Sequence, residues 1–167
     1  MRLFVAVFPP EDVSRDLRNR LTGGGARKPR ARLTSMDRWH VTLAFLGEVP
    51  GGRQPDVERA LDQVTVPRGA ELRLSGGGQF GRGRSTVLWA GVEGDLAGLH
   101  AEVRDRLQAA DLPHDQRPFT PHLTVAYGDD PQVREVLDGY RGPGWRLREA
   151  ALVRSDPAEG YTTVRSW

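Results

Sequence analysis

The first part of the chain alternates between apolar runs typical of strands and apolar spacings typical of helices. The run from Leu3 to Phe8 is rich in β-branched and aromatic residues, which predicts a strand. Residues 11–21 begin with acidic residues and then place an apolar side chain at every fourth position, which predicts an amphipathic helix. A Gly- and Arg-rich loop, 22–35, is expected before a strand that holds His40. A second helix is expected over 55–64.

The rest of the chain repeats this order of elements. Residues 85–92 predict a strand, and 94–112 predict a helix with its apolar residues on one face. A strand holding His122 and a short helix at 131–137 follow. The remaining expectations are strands at 71–75, 145–153 and 161–167, with a flexible Gly-rich connection at 76–84.

The spacing within the two halves indicates a duplication. Val5 lies 35 residues before His40, and Leu88 lies 34 residues before His122. Two similar lobes related by a pseudo-two-fold axis would bring the two His-containing strands together. We therefore expect one domain, 1–167, made of two interleaved lobes at about 1–75 and 85–153, with 161–167 as the C-terminal strand.

Composition limits the possible functions only loosely. A chain of 167 residues suffices for one domain or two small lobes that share a core. Its 24 basic and 22 acidic residues nearly cancel, so net charge excludes neither a nucleic acid nor a neutral partner. The absence of cysteine excludes disulfides and thiolate catalysis. With no long apolar run, the sequence favours a cytoplasmic protein without a membrane partner, and a monomer is the default.

Two His-x-Thr pairs interrupt otherwise apolar strands. Because side chains alternate between the faces of a strand, each pair is expected to share one face with a following alanine. These faces are His40, Thr42 and Ala44 in the first strand and His122, Thr124 and Ala126 in the second. The opposite faces are apolar, and the first of them is expected to include Phe45.

One such histidine is most simply a hydrogen-bonded strand residue, but two at matching places in similar half-chains indicate acid–base chemistry. Imidazole exchanges protons near neutral pH, so one histidine can accept a proton while the other donates one. The hydroxyl groups of Thr42 and Thr124 can donate hydrogen bonds to phosphate oxygens in the same cavity.

Other kinds of site fit the sequence less well. There is no G-x-S-x-G motif, and the glycines of 76–84 do not match a P-loop. Zinc needs three or four ligands, and neither His-containing face carries a carboxylate. His114 and Asp115 would have to approach from a loop, so we expect no metal. His100, on the flank of its helix, is expected to be structural or exposed.

The segments "WHVTLAFLGEV" (39–49) and "PFTPHLTVAY" (118–127), with the opening "MRLFVAVFPP", closely resemble the 2H phosphoesterases. Among these, they are most similar to the RNA 2′,3′-cyclic phosphodiesterases, also called LigT-like 2′-5′ RNA ligases. The resemblance covers nearly the whole chain. It implies an α+β, bilobal fold, in which two pseudo-symmetric lobes, each an antiparallel sheet with outer helices, enclose an active-site groove.

The resemblance also implies a reaction and roles for four residues. The reaction is hydrolysis of an RNA 2′,3′-cyclic phosphate end to a 2′-phosphate without metal or cofactor, and its reversal yields a 2′-5′ linkage. By the same resemblance, His122 is the proton acceptor and His40 the proton donor, although these two roles could be exchanged. Thr42 and Thr124 would hold the phosphate oxygens.

The chain departs from the family at Tyr127, where the second motif usually carries an arginine. Arg82, Arg84 or the Arg27–Lys28 pair could supply the missing cation from a loop, in which case RNA binding should depend strongly on salt. Otherwise Tyr127 donates a neutral hydrogen bond. Phe80 is expected either to stack on a terminal base or to anchor its loop, and Trp39 and Trp89 to belong to the core or the groove wall.

Alternative substrates and one alternative class of function remain open. The same chemistry would act on another small cyclic phosphate, on a nucleotide, or on a 2′-5′ oligonucleotide. A module that binds RNA ends carrying a 2′- or 3′-phosphate with little turnover is a third reading. The presence of both histidines argues against a pure RNA-binding function, whereas Tyr127 weakly favours it.

Overall fold

The computed structural model describes residues 1–23 and 29–167. Within these residues the chain forms nine strands and four α-helices. The strands are β1 (Arg2–Val7), β2 (Arg32–Leu33), β3 (Val41–Glu48), β4 (Glu71–Phe80), β5 (Val87–Glu93), β6 (His122–Tyr127), β7 (Arg141–Arg146), β8 (Ala151–Asp156) and β9 (Gly160–Ser166). The helices are α1 (Glu11–Thr22), α2 (Gln54–Leu61), α3 (Ala97–Ala109) and α4 (Pro131–Asp138).

The strands form one curled antiparallel sheet. Its order is β7-β4-β5-β6-β3-β1-β8-β9, and β2 pairs with the C-terminal end of β6. The two motif strands are therefore neighbours at the middle of the sheet, where Val41 pairs with Leu123. The predicted α+β class with two halves around a central groove is confirmed.

Three of the four helices, α1, α3 and α4, pack on the outer face of the sheet, and α2 packs on α3. Helices α1 and α4 lie behind β7, β4 and β5, while α3 lies behind β3 and packs on α2. Buried residues of these helices and of the strands form a single core cluster. A smaller apolar cluster, Phe4, Ala6, Ala151 and Val153, lies on the inner face. None of the helices in the described part of the chain is long and apolar enough to cross a membrane.

The expected division into lobes at 1–75 and 85–153 stays a prediction. On one side of the β3–β6 junction the strands are β6, β5, β4 and β7. On the other side they are β3, β1, β8 and β9. Each side therefore combines strands from both halves of the sequence, with the C-terminal strand β9 at one edge.

The predicted strand at 145–153 is wrong. Its first two residues end β7, an edge strand beside β4, and its last three begin β8, which pairs with β1. The loop between them also buries apolar residues, Leu147 and Ala150, so the whole segment has the composition of one strand. The two consecutive exposed residues Arg148 and Glu149 break the alternation at the crossover and were a usable signal for the change of strand.

The predicted flexible connection at 76–84 is also wrong over its first half. Strand β4 continues to Phe80, and Gly77 and Gly78 pair with β5. A Cβ on Gly77 would stand 2.5 Å from Leu137, and a Cβ on Gly78 would meet the Trp89 ring. The glycines therefore permit close packing of α4 on one face and of Trp89 on the other.

Asp130 fixes the segment before β2 to the start of α4. Its fully buried carboxylate accepts hydrogen bonds from the backbone N–H groups of Arg30 (2.7 Å), Ala31 (3.0 Å), Gln132 (3.0 Å) and Val133 (3.3 Å). Burial alone raises the pKa of this carboxyl, but the four hydrogen bonds outweigh it and hold the pKa below 3.8.

We expect Asp130→Ala to lower the free energy of unfolding by about 2–4 kcal/mol at neutral pH, because four backbone donors, two buried and two partly buried, lose their acceptor. Since the folded-state pKa is lowered, this contribution is complete above the unfolded-state pKa and is lost as pH falls through the folded-state pKa. Urea denaturation at neutral and acidic pH measures both effects. The control is Asp129→Ala, which removes an exposed ion pair with Arg134 and should cost less than about 1 kcal/mol. Equal losses in the two variants would contradict the assigned role.

Candidate active site

Each motif strand contains a β-bulge just after its His-x-Thr pair. Leu43 is the extra residue opposite β1, where Val5 pairs with Ala44 and Ala6 with Thr42. Val125 is the corresponding extra residue opposite β5. A bulge shifts the alternation of side chains by one position, so the residues beyond it change face.

The bulges correct the expected faces of both strands. Ala44 and Ala126 are buried in the core rather than lying beside the histidines. Phe45, expected in the core, is instead 38% exposed, and Tyr127 is 45% exposed. The inner face thus presents His, Thr and a ring five residues after the His in both motifs: His40, Thr42 and Phe45, and His122, Thr124 and Tyr127.

Both histidine rings are held in the same tautomer. Nδ1 of His40 lies 2.7 Å from the carbonyl oxygen of Arg38, and Nδ1 of His122 lies 2.6 Å from that of Thr120. Because a carbonyl oxygen only accepts, each Nδ1 carries the proton. Each Nε2 is then left to accept a proton in the neutral ring or to donate one in the charged ring.

Aromatic rings surround each imidazole. Phe4 stacks on His40 at 4.7 Å between ring centroids, and Tyr161 meets the same ring edge-on at 5.5 Å. On the other side, Phe80 meets His122 edge-on at 5.0 Å and Trp89 lies 5.6 Å away. These contacts restrict both rings and partly exclude water from them.

Burial lowers the pKa of both histidines. For His40, desolvation is the largest cause, the bond to the Arg38 carbonyl opposes it, and the charge of His122 lowers the pKa further. For His122, desolvation again leads, the Thr120 carbonyl opposes it, and the Arg117 guanidinium adds to the lowering. The histidines therefore sense each other's charge, and the neutral form of each is favoured.

The two threonines lie across the central strand pair from the opposite histidine. Val41 pairs with Leu123, and extending this antiparallel register by one residue each way sets Thr42 opposite His122 and His40 opposite Thr124. Both hydroxyl groups lie on the same inner face as the two imidazoles. The arrangement offers two proton-exchanging groups and two hydroxyl donors to one bound group.

A hydrogen-bond chain connects the motifs across 90 residues of sequence. The indole Nε1 of Trp39 donates to Thr34 Oγ1 at 2.6 Å, and that hydroxyl lies 3.1 Å from the carbonyl oxygen of Thr124 and 3.2 Å from that of Val125. Trp39 itself is buried in the core. The residue before His40 is therefore tied to the bulge after His122.

A family model described as the 2′-5′ RNA ligase superfamily matches residues 5–159. The chain belongs to this superfamily. The resemblance to the 2H phosphoesterases inferred from the two motifs is thereby confirmed.

Relatives with established names and structures agree with this membership. The RNA 2′,3′-cyclic phosphodiesterase of Thermus thermophilus is 36% identical over 174 residues, covering 93% of this chain and 82% of that protein. The crystal structure of TT0787 from Thermus thermophilus has a TM-score of 0.77 at 29% identity, covering 100% of this chain and 97% of that chain. The crystal structure of E. coli LigT complexed with phosphate has a TM-score of 0.73 at 25% identity, covering 99% of this chain and 95% of that chain.

The other candidates for substrate contact in this superfamily member lie in different places. Phe80 and Tyr127 both lie on the inner face. Phe80 contacts the His122 ring, and 42% of its surface is exposed to solvent. Arg82 and Arg84 are exposed around the turn after β4, and no contact joins them to either histidine in the described structure. The Arg27–Lys28 pair lies outside the described residues.

His114 and Asp115, which were considered as additional metal ligands, make contacts that hold the loop before His122 in place. Nδ1 of His114 faces the carbonyl oxygen of Leu112 at 3.0 Å. The carboxylate of Asp115 pairs with the Arg117 guanidinium, and the backbone N–H of Asp115 donates to the carbonyl of Phe45. Among the described residues, no group of three or more His, Cys, Asp or Glu side chains has the arrangement of a metal site.

Several residues near the groove were not singled out from the sequence. They are Arg2, Arg38, Phe4, Tyr161 and Arg117. Alternation along the first strand places Arg2 on the same face as Phe4, which was a usable signal. Tyr161 lies 121 residues after His40, and no local pattern links the two.

Proposed function

We propose that the protein hydrolyses 2′,3′-cyclic phosphate ends of RNA to 2′-phosphates by acid–base catalysis between two histidines. The observation that carries this proposal is the matched pair of imidazoles on one groove face, each with Nδ1 bound to a backbone carbonyl and Nε2 free. This is the arrangement that in-line displacement at a cyclic phosphate needs, with a base for the nucleophile and an acid for the leaving oxygen.

In this mechanism the reaction proceeds in one concerted step. Nε2 of His122 takes a proton from water while the water oxygen bonds to phosphorus. The bond from phosphorus to O3′ breaks, and Nε2–H of His40 gives its proton to O3′. Thr42 and Thr124 donate hydrogen bonds to the non-bridging oxygens as charge accumulates there. The similar surroundings of the two rings allow the roles to be exchanged.

Ligation would use the same groups with a different nucleophile. A 5′-hydroxyl in place of water would give its proton to the base and bond to phosphorus, while the bond from phosphorus to O3′ breaks and O3′ takes the proton of the acid, which leaves a 2′-5′ linkage. No metal or cofactor is required, because the histidines move the protons and the hydroxyl donors stabilise the charge.

The comparisons support the proposal at the level of the family. The Thermus relative is named for its action on RNA 2′,3′-cyclic phosphate, and the LigT structure named above is a complex with phosphate. The phosphate-binding role of the threonines rests on the strand register, and the choice of RNA for this chain rests on the name of the Thermus relative.

We expect the pH profile of kcat/KM to have its optimum below pH 6.5. The free enzyme needs one neutral and one protonated histidine, and the pKa values of both His40 and His122 are lowered from 6.5. Activity should fall on the acid side as the base gains a proton and on the alkaline side as the acid loses one. Bound anionic phosphate stabilises the charged ring, so the alkaline limb of kcat should lie at higher pH.

Initial rates with a 2′,3′-cyclic mononucleotide from about pH 4.5 to about pH 9 measure both profiles. A kcat/KM that continues to rise above about pH 7.5 would contradict the paired-histidine mechanism, because the proton donor would already be titrated.

The substrate itself is tested by competition. The enzyme is offered equal concentrations of an oligonucleotide with a 2′,3′-cyclic phosphate end, a cyclic mononucleotide and a 2′-5′-linked oligonucleotide. Preferred consumption of the cyclic-ended RNA supports the proposal. Preference for either alternative assigns the groove to that substrate, and tight binding without turnover assigns it to RNA end binding.

A further inference from the structure

Three arginines beside the groove each lie over an aromatic ring. The pairs, with the distance from Cζ to the ring centroid, are Arg2 over Phe45 (5.7 Å), Arg32 over Tyr127 (5.3 Å) and Arg38 over Tyr161 (5.3 Å). We name these six residues the arginine–ring surface. All three arginines are exposed to solvent.

The arginine–ring surface adjoins the catalytic groove. Two of its rings, Phe45 and Tyr127, are the groove-facing residues five positions after each histidine. The third, Tyr161, touches the His40 ring. Arg32 also pairs directly with Tyr127 through the β2–β6 ladder.

The members of this surface lie close to one another. Burial raises the pKa of Tyr161, the Tyr127 hydroxyl adds to the rise, and the guanidinium groups of Arg38 and Arg2 oppose it. These four groups from four different segments therefore interact. The charges of Arg2 and Arg38 thus act on the same hydroxyl group, and Arg32 lies over the ring of the second tyrosine, Tyr127.

The rings hold the guanidinium groups without neutralising them. In the described part of the chain, no carboxylate oxygen lies within 4.0 Å of Arg2, Arg32 or Arg38. By contrast, Arg165 lies over the Trp167 ring but also pairs with Asp62 at 2.6 Å. A ring restricts the planar group by cation–π attraction and leaves its N–H donors and charge for an anion.

We propose that the arginine–ring surface binds the phosphates of the single RNA strand whose cyclic end lies in the groove. Charge complementarity identifies this occupant, since a polyanion with flat bases matches positive groups interleaved with exposed rings. The guanidinium forks bind phosphate oxygens, and Phe45 and Tyr127 contact bases. This inference rests on the proposed function and extends the substrate from a cyclic phosphate to the strand behind it.

The arginine–ring surface also places positive charge next to Tyr127, the neutral residue at the end of the second motif. Arg32 brings a cation to the Tyr127 ring from the neighbouring strand. Positive charge is thus present beside the second motif, although the motif itself ends in tyrosine. In this inference that charge acts on the phosphates of the strand and not on the reacting phosphate.

The test compares two substrates in three proteins. The substrates are a 2′,3′-cyclic mononucleotide and an oligonucleotide of about six residues with the same cyclic end. The proteins are wild type, the triple variant Arg2→Ala, Arg32→Ala and Arg38→Ala, and a control triple variant with the same charge change. The control removes exposed arginines of α1, α2 and the turn before β4: Arg15→Ala, Arg59→Ala and Arg68→Ala.

The surface variant should lose roughly tenfold or more in kcat/KM on the oligonucleotide at low salt, and the slope of log(kcat/KM) against log[salt] should flatten by up to about 2. Its turnover of the mononucleotide should stay within about twofold of wild type, as should both activities of the control. Thermal unfolding checks that each protein is folded.

The outcomes separate this inference from the proposed function. Equal losses on the two substrates would place the arginines at the reacting phosphate and overturn the strand-binding inference, as would an equal loss in the control. If wild type turns over neither substrate, the proposed function fails. Fluorescence anisotropy with a labelled 2′-phosphate oligonucleotide then decides the inference alone, since weaker binding by the surface variant but not by the control supports it and equal binding overturns it.

Discussion

Replacing either groove histidine by alanine is expected to lower kcat/KM on a 2′,3′-cyclic phosphate by roughly 10²–10⁴-fold. Each Nε2 supplies a proton transfer that the rings packed on it cannot replace near neutral pH. Among the described residues these rings are mainly Phe4, Tyr161, Phe80 and Trp89, and burial raises the pKa of the Tyr161 hydroxyl further. The loss should lie mainly in kcat, since the imidazoles act on the transition state.

The double variant provides a further check on this prediction. His40 and His122 act in one step, so removing both should cost little more than removing one. His100→Ala is the matched control: His100 stacks on Phe119 at 4.0 Å, away from the groove, and its loss should leave turnover nearly unchanged. Thermal unfolding of every variant separates lost chemistry from lost fold. Near-normal turnover in either single variant rules out the acid–base pair.

The second large effect is expected from the threonine hydroxyls. Thr42→Val or Thr124→Val keeps the shape of the side chain but removes the donor, and kcat should fall by roughly 10²-fold. The donor acts on charge that develops at the non-bridging oxygens, so KM should change much less than kcat. Thr42→Ser and Thr124→Ser keep the hydroxyl and should retain most of the rate.

Exposed Thr162 on β9 offers the control for this comparison, and Thr162→Val should have no effect. Single-turnover rates on saturating cyclic phosphate measure the chemical step directly. If the valine and serine variants have equal rates, the hydroxyl groups do not stabilise the transition state. A rise in KM at constant kcat would restrict them to substrate binding.

The placement of the two histidines on the inner face of the sheet is predictable from the sequence, because it depends on a local motif that occurs twice. Side-chain alternation puts His40 with Thr42, and His122 with Thr124, on one face of their strands, and the structure agrees up to that point. Alternation fails at the next residue. The bulges at Leu43 and Val125 are set by pairing with β1 and β5, so no pattern within either motif shows that Phe45 and Tyr127 turn toward the groove.

Long-range contacts explain the other differences. The Gly-rich segment after residue 75 has the composition of a loop, but its residues up to Phe80 are a strand because they pair with β5. Leu137 and Trp89 occupy the space that side chains at Gly77 and Gly78 would fill. Likewise, the cation beside the groove was expected from Arg82, Arg84 or the Arg27–Lys28 pair, of which the last lies outside the described residues. Arg32 and Arg38 come there instead because Asp130 and Thr34 fasten their segment to residues about 90–100 positions away.

The most direct test of the two-histidine, metal-independent mechanism is the position of the phosphate in the product. Wild-type protein is incubated with EDTA and an oligonucleotide ending in a 2′,3′-cyclic phosphate, and the product is assigned by phosphorus NMR against 2′- and 3′-phosphate standards. Protonation of O3′ by one histidine predicts a 2′-phosphate alone, formed at the same rate with and without EDTA. A 3′-phosphate product, or turnover abolished by EDTA, would contradict the account.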